Sequence, residues 1–353
     1  MRVIAAMSGG VDSSVAAARL VDAGHEVVGV HLALARAQSN GRSRGCCTLD
    51  DARDARRVAD MLGIPFYVWD LSEHFASAVI EDFLAEYSIG RTPNPCVRCN
   101  QAIKFRAVLD RALAMDFDAI ATGHYARIVT GVDGPELHRA VDPAKDQSYV
   151  LAVMPTDALA RTLLPLGDDI KDTVREEADQ RGLLVARKPD SHDICFIPDG
   201  DTAGFVSRRI GAQPGVMVDA VSGEVLGEHE GTFGYTIGQR RGLGIAGGPP
   251  RYVVDIDAPT GVVTLGPPTL LDIDRIEATD PVWHGKPADE VLIQVRAHAQ
   301  PVPGRVTTVD DRVVIDLLEP IRGLAAGQCV VIYNDSRVVG AATVDRTRRL
   351  ASA

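Results

Sequence analysis

The 353-residue sequence has no apolar run long enough to cross a membrane, and the early stretch Val3–Met7 has only five residues. It lacks G-x-x-x-x-G-K-[ST], which disfavours kinases and GTPases with a lysine-containing phosphate loop. It has six cysteines, which in a cytoplasmic chain do not predict a disulfide framework, and it has no second C-x-x-C that could complete a paired set of zinc ligands. Internal repeats and low-complexity segments are also missing. These absences predict a globular, cytoplasmic protein with no membrane partner.

Positive charge is in short supply, since the formal net charge is −11. From Arg275 onward, however, ten basic and ten acidic residues balance, so the acidic excess lies before that point. Within the acidic part, Arg91–Leu109 and Gly231–Arg251 contain basic residues and no acidic ones. Because local patches rather than the total charge contact phosphates, the composition is neutral evidence on nucleic-acid binding.

Residues 1–125 alternate between strand and helix patterns, which predicts an α/β domain with a doubly wound parallel sheet. Residues 126–200 are mixed, and beyond about residue 200 helices fade while glycine, proline and short β-branched runs predict small β domains or barrels. We expect boundaries at 1–200, 201–274 and 275–353. The expected elements before residue 200 are strands at Val3–Met7, Val27–Leu34, Phe66–Trp69, Ala119–Thr122 and Ile194–Ile197, and helices at Val15–Ala23, Asp50–Leu62, Phe75–Tyr87, Ala102–Met115, Thr156–Leu163 and Thr173–Gly182.

The segment Ser8–Ser14, with sequence SGGVDSS, joins the first predicted strand to the first predicted helix. A glycine turn at a helix N-terminus forms a cradle for an anion, because backbone N–H groups approach phosphate oxygens that a Cβ would block. Three serine hydroxyls add donors, and Asp12 is suited to a hydrated Mg²⁺. The loop resembles the S-G-G-x-D-S signature of the ATP-cleaving alpha hydrolase-like (PP-loop) family, which implies that ATP is split between its α- and β-phosphates to adenylate a substrate oxygen.

The cysteines form a second feature. Cys99 ends the segment TPNPCVRC and precedes the predicted helix Ala102–Met115, so a helix N-terminus, Arg98 and Lys104 are expected to favour its thiolate. Cys195 lies 96 residues downstream, at the predicted strand Ile194–Ile197. As an alternative, Cys96 and Cys99 form part of a zinc or iron–sulfur site in a metal-binding, RNA-binding module.

ATP cleavage combined with two reactive thiols suits the insertion of sulfur into a nucleobase. Adenylation turns a poorly electrophilic carbonyl into a carbon with a good leaving group, a persulfide sulfur displaces AMP, and a second thiol releases the product. Other adenylating ligases on this loop, such as a tRNA lysidine synthase, do not need the two thiols.

With these features together, the sequence resembles the bacterial tRNA-specific 2-thiouridylase family over essentially its whole length. The resemblance implies a PP-loop domain, a small central β domain and a C-terminal β-barrel that grips tRNA. It also implies ATP and Mg²⁺ as cofactors, and as partners a tRNA anticodon stem-loop with its wobble uridine and a sulfurtransferase or cysteine desulfurase that donates the persulfide. The matching segments are Ala6–Ser14, Thr92–Phe105, Thr122–Arg127, Lys145–Tyr149, Ser191–Ile197, Gly231–Gly244 and Gly327–Gln328.

The resemblance also implies individual roles. Cys99 matches the nucleophile and Cys195 the persulfide carrier, and the two would form a transient disulfide. The matched nucleotide-binding positions are Ala6, Met7, Ser8, Gly9, Gly10, Val11, Asp12, Ser13, Leu32 and Gly123. The matched substrate-binding positions are Asn94, Pro95, Cys96, His124, Lys145, Asp146, Gln147, Arg296, Ala297 and Gln328.

One position departs from the family pattern. Many members have aspartate where this chain has Cys96, so the identity of any general base at the uracil is open. We expect Cys96 to line the site. Cys46 and Cys47 receive no role, and Cys329 is expected in the core of a barrel strand.

Overall fold

The computed structural model describes residues 1–34, 49–190, 194–245 and 248–350. Close packing divides the chain into two units. The first unit comprises residues 1–80, 95–200 and 336–338, and the second comprises 81–94, 201–335 and the chain from 339 onward. Cys46, Cys47 and residues 191–193 lie outside the described residues.

The helices of the described residues are mostly short, and two π-helical stretches, Ala76–Ile80 and Asn100–Ala107, join neighbouring α-helices. The α-helices are α1 Val11–Asp22, α2 Leu49–Leu62, α3 Ser72–Phe75, α4 Glu81–Ser88, α5 Pro95–Cys99, α6 Val108–Ala114, α7 Ser148–Leu151, α8 Thr156–Leu159, α9 Lys171–Gln180 and α10 Thr202–Ile210.

The strands fall into three groups along the chain. They are β1 Arg2–Ala6, β2 Glu26–Ala33, β3 Phe66–Asp70, β4 Ala119–Ala121, β5 Arg127–Gly131, β6 Gly134–His138, β7 Thr162–Leu163, β8 Gly215–Asp219, β9 Val225–His229, β10 Tyr252–Asp257, β11 Val262–Gly266, β12 Asp272–Trp283, β13 Val291–Gln294, β14 Val302–Val309, β15 Arg312–Arg322, β16 Cys329–Asn334 and β17 Arg337–Arg349.

A parallel sheet in the order β3-β2-β1-β4-β7 forms the centre of the first unit. The central strands β1 and β4 are apolar because both of their faces are covered, and side chains such as Val3, Val15 and Val58 are fully buried in one core between sheet and helices. β1 lies in the middle of the sheet, so the loop after it opens at the carboxyl edge, where parallel α/β sheets bind ligands. The predicted α/β doubly wound class is confirmed.

Three predicted elements of the first unit were wrong in extent or type. Ile194–Ile197 is a turn rather than a strand, closed by a hydrogen bond of 2.9 Å from the Ile197 N–H to the Ile194 carbonyl. The helix predicted over Thr156–Leu163 ends at Leu159, and β7 follows it as an edge strand. The helix predicted from Ala102 begins at Pro95 instead.

In the second unit, β10, β11, β8 and β9 form a four-stranded sheet. Six further strands close into a barrel in the order β12-β15-β14-β13-β16-β17, because β17 pairs back onto β12. Inward-facing residues such as Ile276, Ile315 and Ile332 fill the barrel and are fully buried. The central β domain and the C-terminal barrel are therefore as predicted, whereas α10 was missed.

The missed helix α10 begins with a cap that composition alone does not emphasise. The Asp201 carboxylate accepts a hydrogen bond of 2.8 Å from the Gly204 N–H, and Gly211 ends the helix with φ +81°.

The exact boundaries of the three predicted domains stay a prediction. No helix among the described residues is both long and apolar enough to cross a membrane.

Candidate active site

The turn between β1 and α1 depends on two glycines. Gly9 has φ +80°, and a Cβ there would collide with the backbone oxygen of Asp51, so no other residue fits. Gly10 occupies the capping position of α1 and brings no side chain to its first N–H groups. The helix N-terminus is therefore available to an acceptor from outside the helix, as an anion site requires.

The serines of the loop divide into one exposed residue and two buried ones. Ser8 is exposed, whereas the Ser13 and Ser14 hydroxyls donate to the Gly10 carbonyl at 3.2 and 2.8 Å. The Ser8 N–H in turn donates to Ser13 Oγ at 3.1 Å. Ser13 and Ser14 thus hold the shape of the loop, and Ser8 is the hydroxyl best placed for a ligand.

Two other predicted nucleotide positions lie at the same edge of the sheet. A Cβ on Gly123 would lie 2.6 Å from the Ser13 nitrogen, so this glycine lets the chain after β4 touch the loop. Leu32 is buried near the carboxyl end of β2, two residues beyond the Ala6–Val30 register pair. The structure therefore brings the predicted nucleotide-binding residues together.

Lysines that the sequence analysis did not single out complete this site. Lys171, at the start of α9, is buried, and its Nζ lies 2.7 Å from both carboxylate oxygens of Asp12. The Lys188 ammonium donates to the Gly9 carbonyl at 3.0 Å and to the Asp51 and Asp54 carboxylates at 2.8 Å each. Burial acts in the opposite direction, but the hydrogen bonds to the two aspartates raise the pKa of Lys188. The loop has no lysine of its own. The fold brings Lys171 and Lys188 to it from distant parts of the sequence.

Asp190 joins this cluster to a predicted tRNA contact. Its carboxylate lies 2.8 Å from Lys145 Nζ, 2.9 Å from Lys171 Nζ and 2.6 Å from an Arg175 nitrogen. Although burial acts in the opposite direction, hydrogen bonds from Lys145 and Lys171 lower the pKa of Asp190. Asp190 therefore stays ionised and shares its charge among three cations.

The composition of the chain could have pointed to these lysines. The chain has only five lysines among 37 basic residues, and the other basic residues are arginines. An ammonium is a compact point charge on a flexible stem, so it can contact acceptors that do not lie in one plane. Four of the five lysines lie in this site or beside His124, at positions 104, 145, 171 and 188.

Tyr125 and Gln147 tie the segment 145–147 to the loop. The Tyr125 hydroxyl donates to Asp12 Oδ1 at 2.8 Å, and its backbone N–H donates to Gln147 Oε1 at 2.9 Å. Burial, followed by the charge of Asp12, raises the pKa of Tyr125, so its hydroxyl keeps the proton it donates. Asp146 is committed locally, since it accepts from Arg139, Ala140 and Ser148. Of the three predicted contacts in this segment, Lys145 is the one whose charge reaches the surface.

His124 is held neutral beside the helical segment that follows Cys99. Its Nε2 lies 3.3 Å from Lys104 Nζ, and its Nδ1 lies 2.7 Å from Thr122 Oγ1. Burial, followed by the charge of Lys104, lowers the pKa of His124 well below 6.5. Because the ammonium can only donate, Nε2 accepts and the imidazole proton is on Nδ1.

The structure corrects the expected environment of Cys99. We expected Cys99 to precede a helix, but Pro95 begins one, and proline suits the first helical position because its missing N–H needs no partner there. Cys99 is thus the last residue of α5, continuous with a π-helix, and is buried, while Cys96 is exposed in the first turn. The helix N-terminus acts on Cys96, not on Cys99.

Both predicted catalytic cysteines belong to segments that contact one helical stretch, residues 72–80. The Arg98 guanidinium donates to the Ala78 carbonyl at 3.1 Å, one residue before Cys99. Phe196, next to Cys195, packs edge-on against Phe75 with ring centres 5.7 Å apart. Cys195 is half-buried in the Ile194–Ile197 turn. Residues far apart in sequence are thereby held on a common support.

Further predicted tRNA contacts lie in the second unit. Gln328 donates from Nε2 to the Thr92 carbonyl at 2.5 Å, which anchors the chain two residues before Asn94. Arg296 is exposed in the turn after β13, and Ala297 is half-buried in the same turn. The buried Gln294 amide fixes that turn by donating to the Arg296 and Ala297 carbonyls at 2.9 and 3.0 Å.

The described residues do not form a metal site. No group of three or more His, Cys, Asp or Glu side chains suited to a metal ion occurs among them. Both Asp12 oxygens accept from Lys171, so in this arrangement the carboxylate faces an ammonium and does not fit a Mg²⁺ ion held by the protein. The zinc and cluster alternative is therefore without support in the described part of the chain.

Comparison with known proteins agrees with this architecture. Three family models match in succession: a tRNA methyl transferase HUP domain over residues 1–199, a tRNA methyl transferase PRC-barrel domain over 203–267, and an aminomethyltransferase beta-barrel domain over 273–344. Each of these models covers one domain. The relatives that match along the whole chain identify the family of the complete sequence.

The relatives carry the name tRNA-specific 2-thiouridylase MnmA. The protein of Acidothermus cellulolyticus is 58% identical over 360 residues, covering 99% of each chain. That of Nocardioides sp. is 56% identical and covers 100% of both chains. That of Kineococcus radiotolerans is 59% identical, covering 99% of this chain and 100% of the relative. At this identity and coverage, the chain belongs to the tRNA-specific 2-thiouridylase family.

Proposed function

We propose that this protein is an ATP-dependent sulfurtransferase that converts the wobble uridine of tRNA to 2-thiouridine. The observation that carries the proposal is the common support of the two cysteines: residues beside Cys99 and Cys195 contact the same stretch 72–80, in the unit that also holds the anion-binding loop. An adenylating ligase that uses nitrogen or carboxylate substrates needs no such pair of thiols.

The first half-reaction is adenylation. Uracil O2 attacks the α-phosphorus of ATP, pyrophosphate leaves, and N3 loses its proton, which yields a base whose O2 carries AMP. The α1 N-terminus and the exposed Ser8 supply donors for the phosphate oxygens, and the ammonium groups of Lys171 and Lys188 add positive charge beside them. Magnesium would enter with the phosphates of ATP, and no step here depends on Asp12 as its ligand.

The second half-reaction is sulfur transfer. The terminal sulfur of a Cys195 persulfide attacks C2 and AMP departs, which leaves the base joined to Cys195 through a disulfide. The Cys99 thiolate then attacks the Cys195 sulfur, breaks that S–S bond and releases the base with sulfur on C2, which regains a proton at N3. A thiol reductant resets the resulting Cys99–Cys195 disulfide.

The RNA is bound by residues from both parts of the chain. We assign Asn94 to Cys96 to the target uracil, and His124, Lys145, Arg296 and Gln328 to the tRNA. Asp146, Gln147 and Ala297 shape their segments. We assign the supply of the persulfide to a cytoplasmic sulfurtransferase or cysteine desulfurase.

The test measures 2-thiouridine in a tRNA transcript after incubation with ATP and a persulfide-carrying donor protein. Cys195→Ser is expected to form none, and Cys99→Ser is expected to release none unless a thiol reductant is added. Cys329→Ser, at a buried barrel position outside the site, serves as the matched control and is expected to match the wild type. Wild-type rates in Cys195→Ser would overturn the assignment of the sulfur carrier.

A further inference from the structure

Cys96 is a thiol of the candidate site that no chemical step of the proposed cycle uses. It is exposed in the first turn of α5, whereas Cys99, three residues later, ends that helix and is only 7% exposed. Cys195 is half-buried. The two thiols of the C-x-x-C segment therefore differ in their access to solvent, although they lie about one helical turn apart.

The spacing of Cys96 and Cys99 suits a disulfide between them. Residues three apart in an α-helix are neighbours on its surface, and their Cα atoms are about 5 Å apart. A disulfide requires a Cα separation of about 4.4 to 6.8 Å, and the C-x-x-C segments of disulfide oxidoreductases meet this condition. Cys96 thus reaches the Cys99 sulfur with a small adjustment of the first turn of α5.

The proposed function leaves a disulfide between Cys99 and Cys195 after each turnover. In that state Cys195 cannot take up another persulfide. The attack of a thiol on a disulfide depends on access to one of its sulfurs. Because Cys99 is buried and Cys195 is half-buried, an external reductant reaches this disulfide poorly. A disulfide that includes an exposed cysteine is a better target.

We infer that Cys96 is a further catalytic residue, which resolves the Cys99–Cys195 disulfide. The Cys96 thiolate attacks the Cys99 sulfur, the bond between Cys99 and Cys195 breaks, and Cys195 leaves as a thiolate that takes up a proton. The disulfide moves from Cys195 to Cys96 with no net oxidation or reduction. A dithiol reductant then attacks the new disulfide at the exposed Cys96 sulfur. This inference rests on the proposed function, in which Cys99 and Cys195 form the first disulfide.

The remaining cysteines are placed differently. Cys329 is buried in the barrel strand β16 of the second unit, and Cys46 and Cys47 lie outside the described residues. Cys96 acts on the Cys99 sulfur and not on Cys195, so it does not replace Cys99 in the release of the thiolated base.

The experiment identifies the disulfide that one turnover leaves on the protein. Protein loaded with persulfide is given ATP and tRNA without reductant, quenched with N-ethylmaleimide in denaturant and digested with trypsin. Because Arg98 separates Cys96 from Cys99, trypsin yields the peptides 92–98 and 99–104, and Cys195 lies on a third peptide. Mass spectrometry of the unreduced digest then distinguishes a Cys96–Cys99 disulfide from a Cys99–Cys195 disulfide.

For the wild type we expect the peptides 92–98 and 99–104 to be joined in an amount that matches the 2-thiouridine formed, with Cys195 alkylated. For Cys96→Ser we expect each thiolated base to leave Cys99 joined to Cys195 instead. In this variant Cys195 is expected to become open to alkylation only after a reductant is added.

Cys96→Ser/Val97→Cys is the matched control. It keeps the number of thiols and moves one of them by a single residue along α5, to a position two residues from Cys99 that does not face it. This variant is expected to retain the Cys99–Cys195 disulfide, as Cys96→Ser does. If either variant fails to fold, the linkage found in the wild type still decides the inference.

A persistent Cys99–Cys195 disulfide in the wild type, or a disulfide of either residue with Cys46 or Cys47, would overturn the inference. Alkylated Cys195 in Cys96→Ser that has formed 2-thiouridine without reductant would do the same. The absence of 2-thiouridine in the wild type is a different result, because it contradicts the proposed function itself.

Discussion

At the scale of single residues, the candidate site depends on the positions of a few lysines. Lys171 satisfies Asp12 and Asp190 together, and Lys188 satisfies a loop carbonyl and two aspartates. A guanidinium at either position would need more room and a planar arrangement of acceptors. A loop with no lysine of its own therefore obtains its positive charge from residues that are distant in the sequence.

Replacement of Lys171 by Met tests this arrangement. Asp12 and Asp190 would lose the ammonium between them, and breaking a buried ion pair costs about 3 kcal/mol. We expect a lower free energy of unfolding in urea by about that amount, together with loss of tRNA-dependent pyrophosphate release. Lys286→Met, at the exposed lysine outside the site, is expected to change neither. Normal pyrophosphate release in Lys171→Met would contradict the account.

The neutral His124 predicts an acid sensitivity. Its pKa is lowered by burial and by Lys104, so below its ordinary value of 6.5 the unfolded chain takes up a proton that the folded protein does not. Stability is therefore present above that value and is lost as the pH falls below it, by up to about 1.4 kcal/mol per pH unit.

The measurement compares the free energy of unfolding at pH 7.5 and 5.5. His124→Gln is expected to lose less stability over this interval than the wild type, whereas His298→Gln, at an exposed position, is expected to behave as the wild type does. If the wild type and His124→Gln lose the same free energy of unfolding between pH 7.5 and 5.5, His124 is not neutral in the folded protein.

At the scale of elements, the loop between β1 and α1 is a tight turn pressed against α2. Gly9 has a positive φ and also lies against the Asp51 backbone. Gly24, in the turn after α1, has φ +75°, and no atom of the described residues lies within 4 Å of the point that a Cβ would occupy there. Substitution of Gly24 therefore measures the strain of the left-handed conformation alone, whereas substitution of Gly9 adds the steric clash.

Alanine at these two positions gives a matched pair. Gly24→Ala is expected to lose about 1 kcal/mol of unfolding free energy from the left-handed conformation and to keep ATP binding. Gly9→Ala carries the same strain plus a clash with the Asp51 backbone, so we expect a larger loss and no ATP binding. The checks are urea unfolding and binding of α,β-methylene ATP; equal behaviour of the two variants would mean that the close contact is unimportant.

The elements also show how far sequence patterns reach. Regular apolar runs predicted the central strands and the barrel strands, because burial on one or both faces imposes the pattern directly. The Ile194–Ile197 run has the apolar pattern of a strand, but it is a turn, and its Phe196 packs against Phe75 of the distant helix α3. The helix predicted from Ala102 begins at Pro95, because a proline ends a helix in its interior but suits its first position.

The same limit applies to the candidate site. The loop could be predicted because its residues are contiguous, and so could the cysteines because their chemistry is rare. Lys171, Lys188 and Asp190 could not, since their roles arise only when the sheet brings distant segments to one edge. Their signal in the sequence was the scarcity of lysine, which identifies positions but not partners.

At the scale of the whole molecule, the chain combines an α/β unit that holds the candidate ATP loop with a β-rich unit that contains Arg296 and Gln328, which we propose contact tRNA. The net charge of −11 is no obstacle, because the acidic residues of the first unit are largely used in ion pairs, as at Asp12, Asp51 and Asp190. In the proposed function, one protein carries out both the adenylation of the base and the transfer of sulfur to it.

The most direct test of this account traps the base on the protein. Cys99→Ser, loaded with persulfide and given ATP and tRNA, is expected to accumulate a covalent RNA–protein adduct through Cys195, because no second thiol releases the sulfur. A denaturing gel is expected to show an ATP-dependent shift that dithiothreitol reverses with release of 2-thiouridine, and no shift in the Cys99→Ser/Cys195→Ser double variant. An adduct that forms without ATP, or in the double variant, would contradict the account.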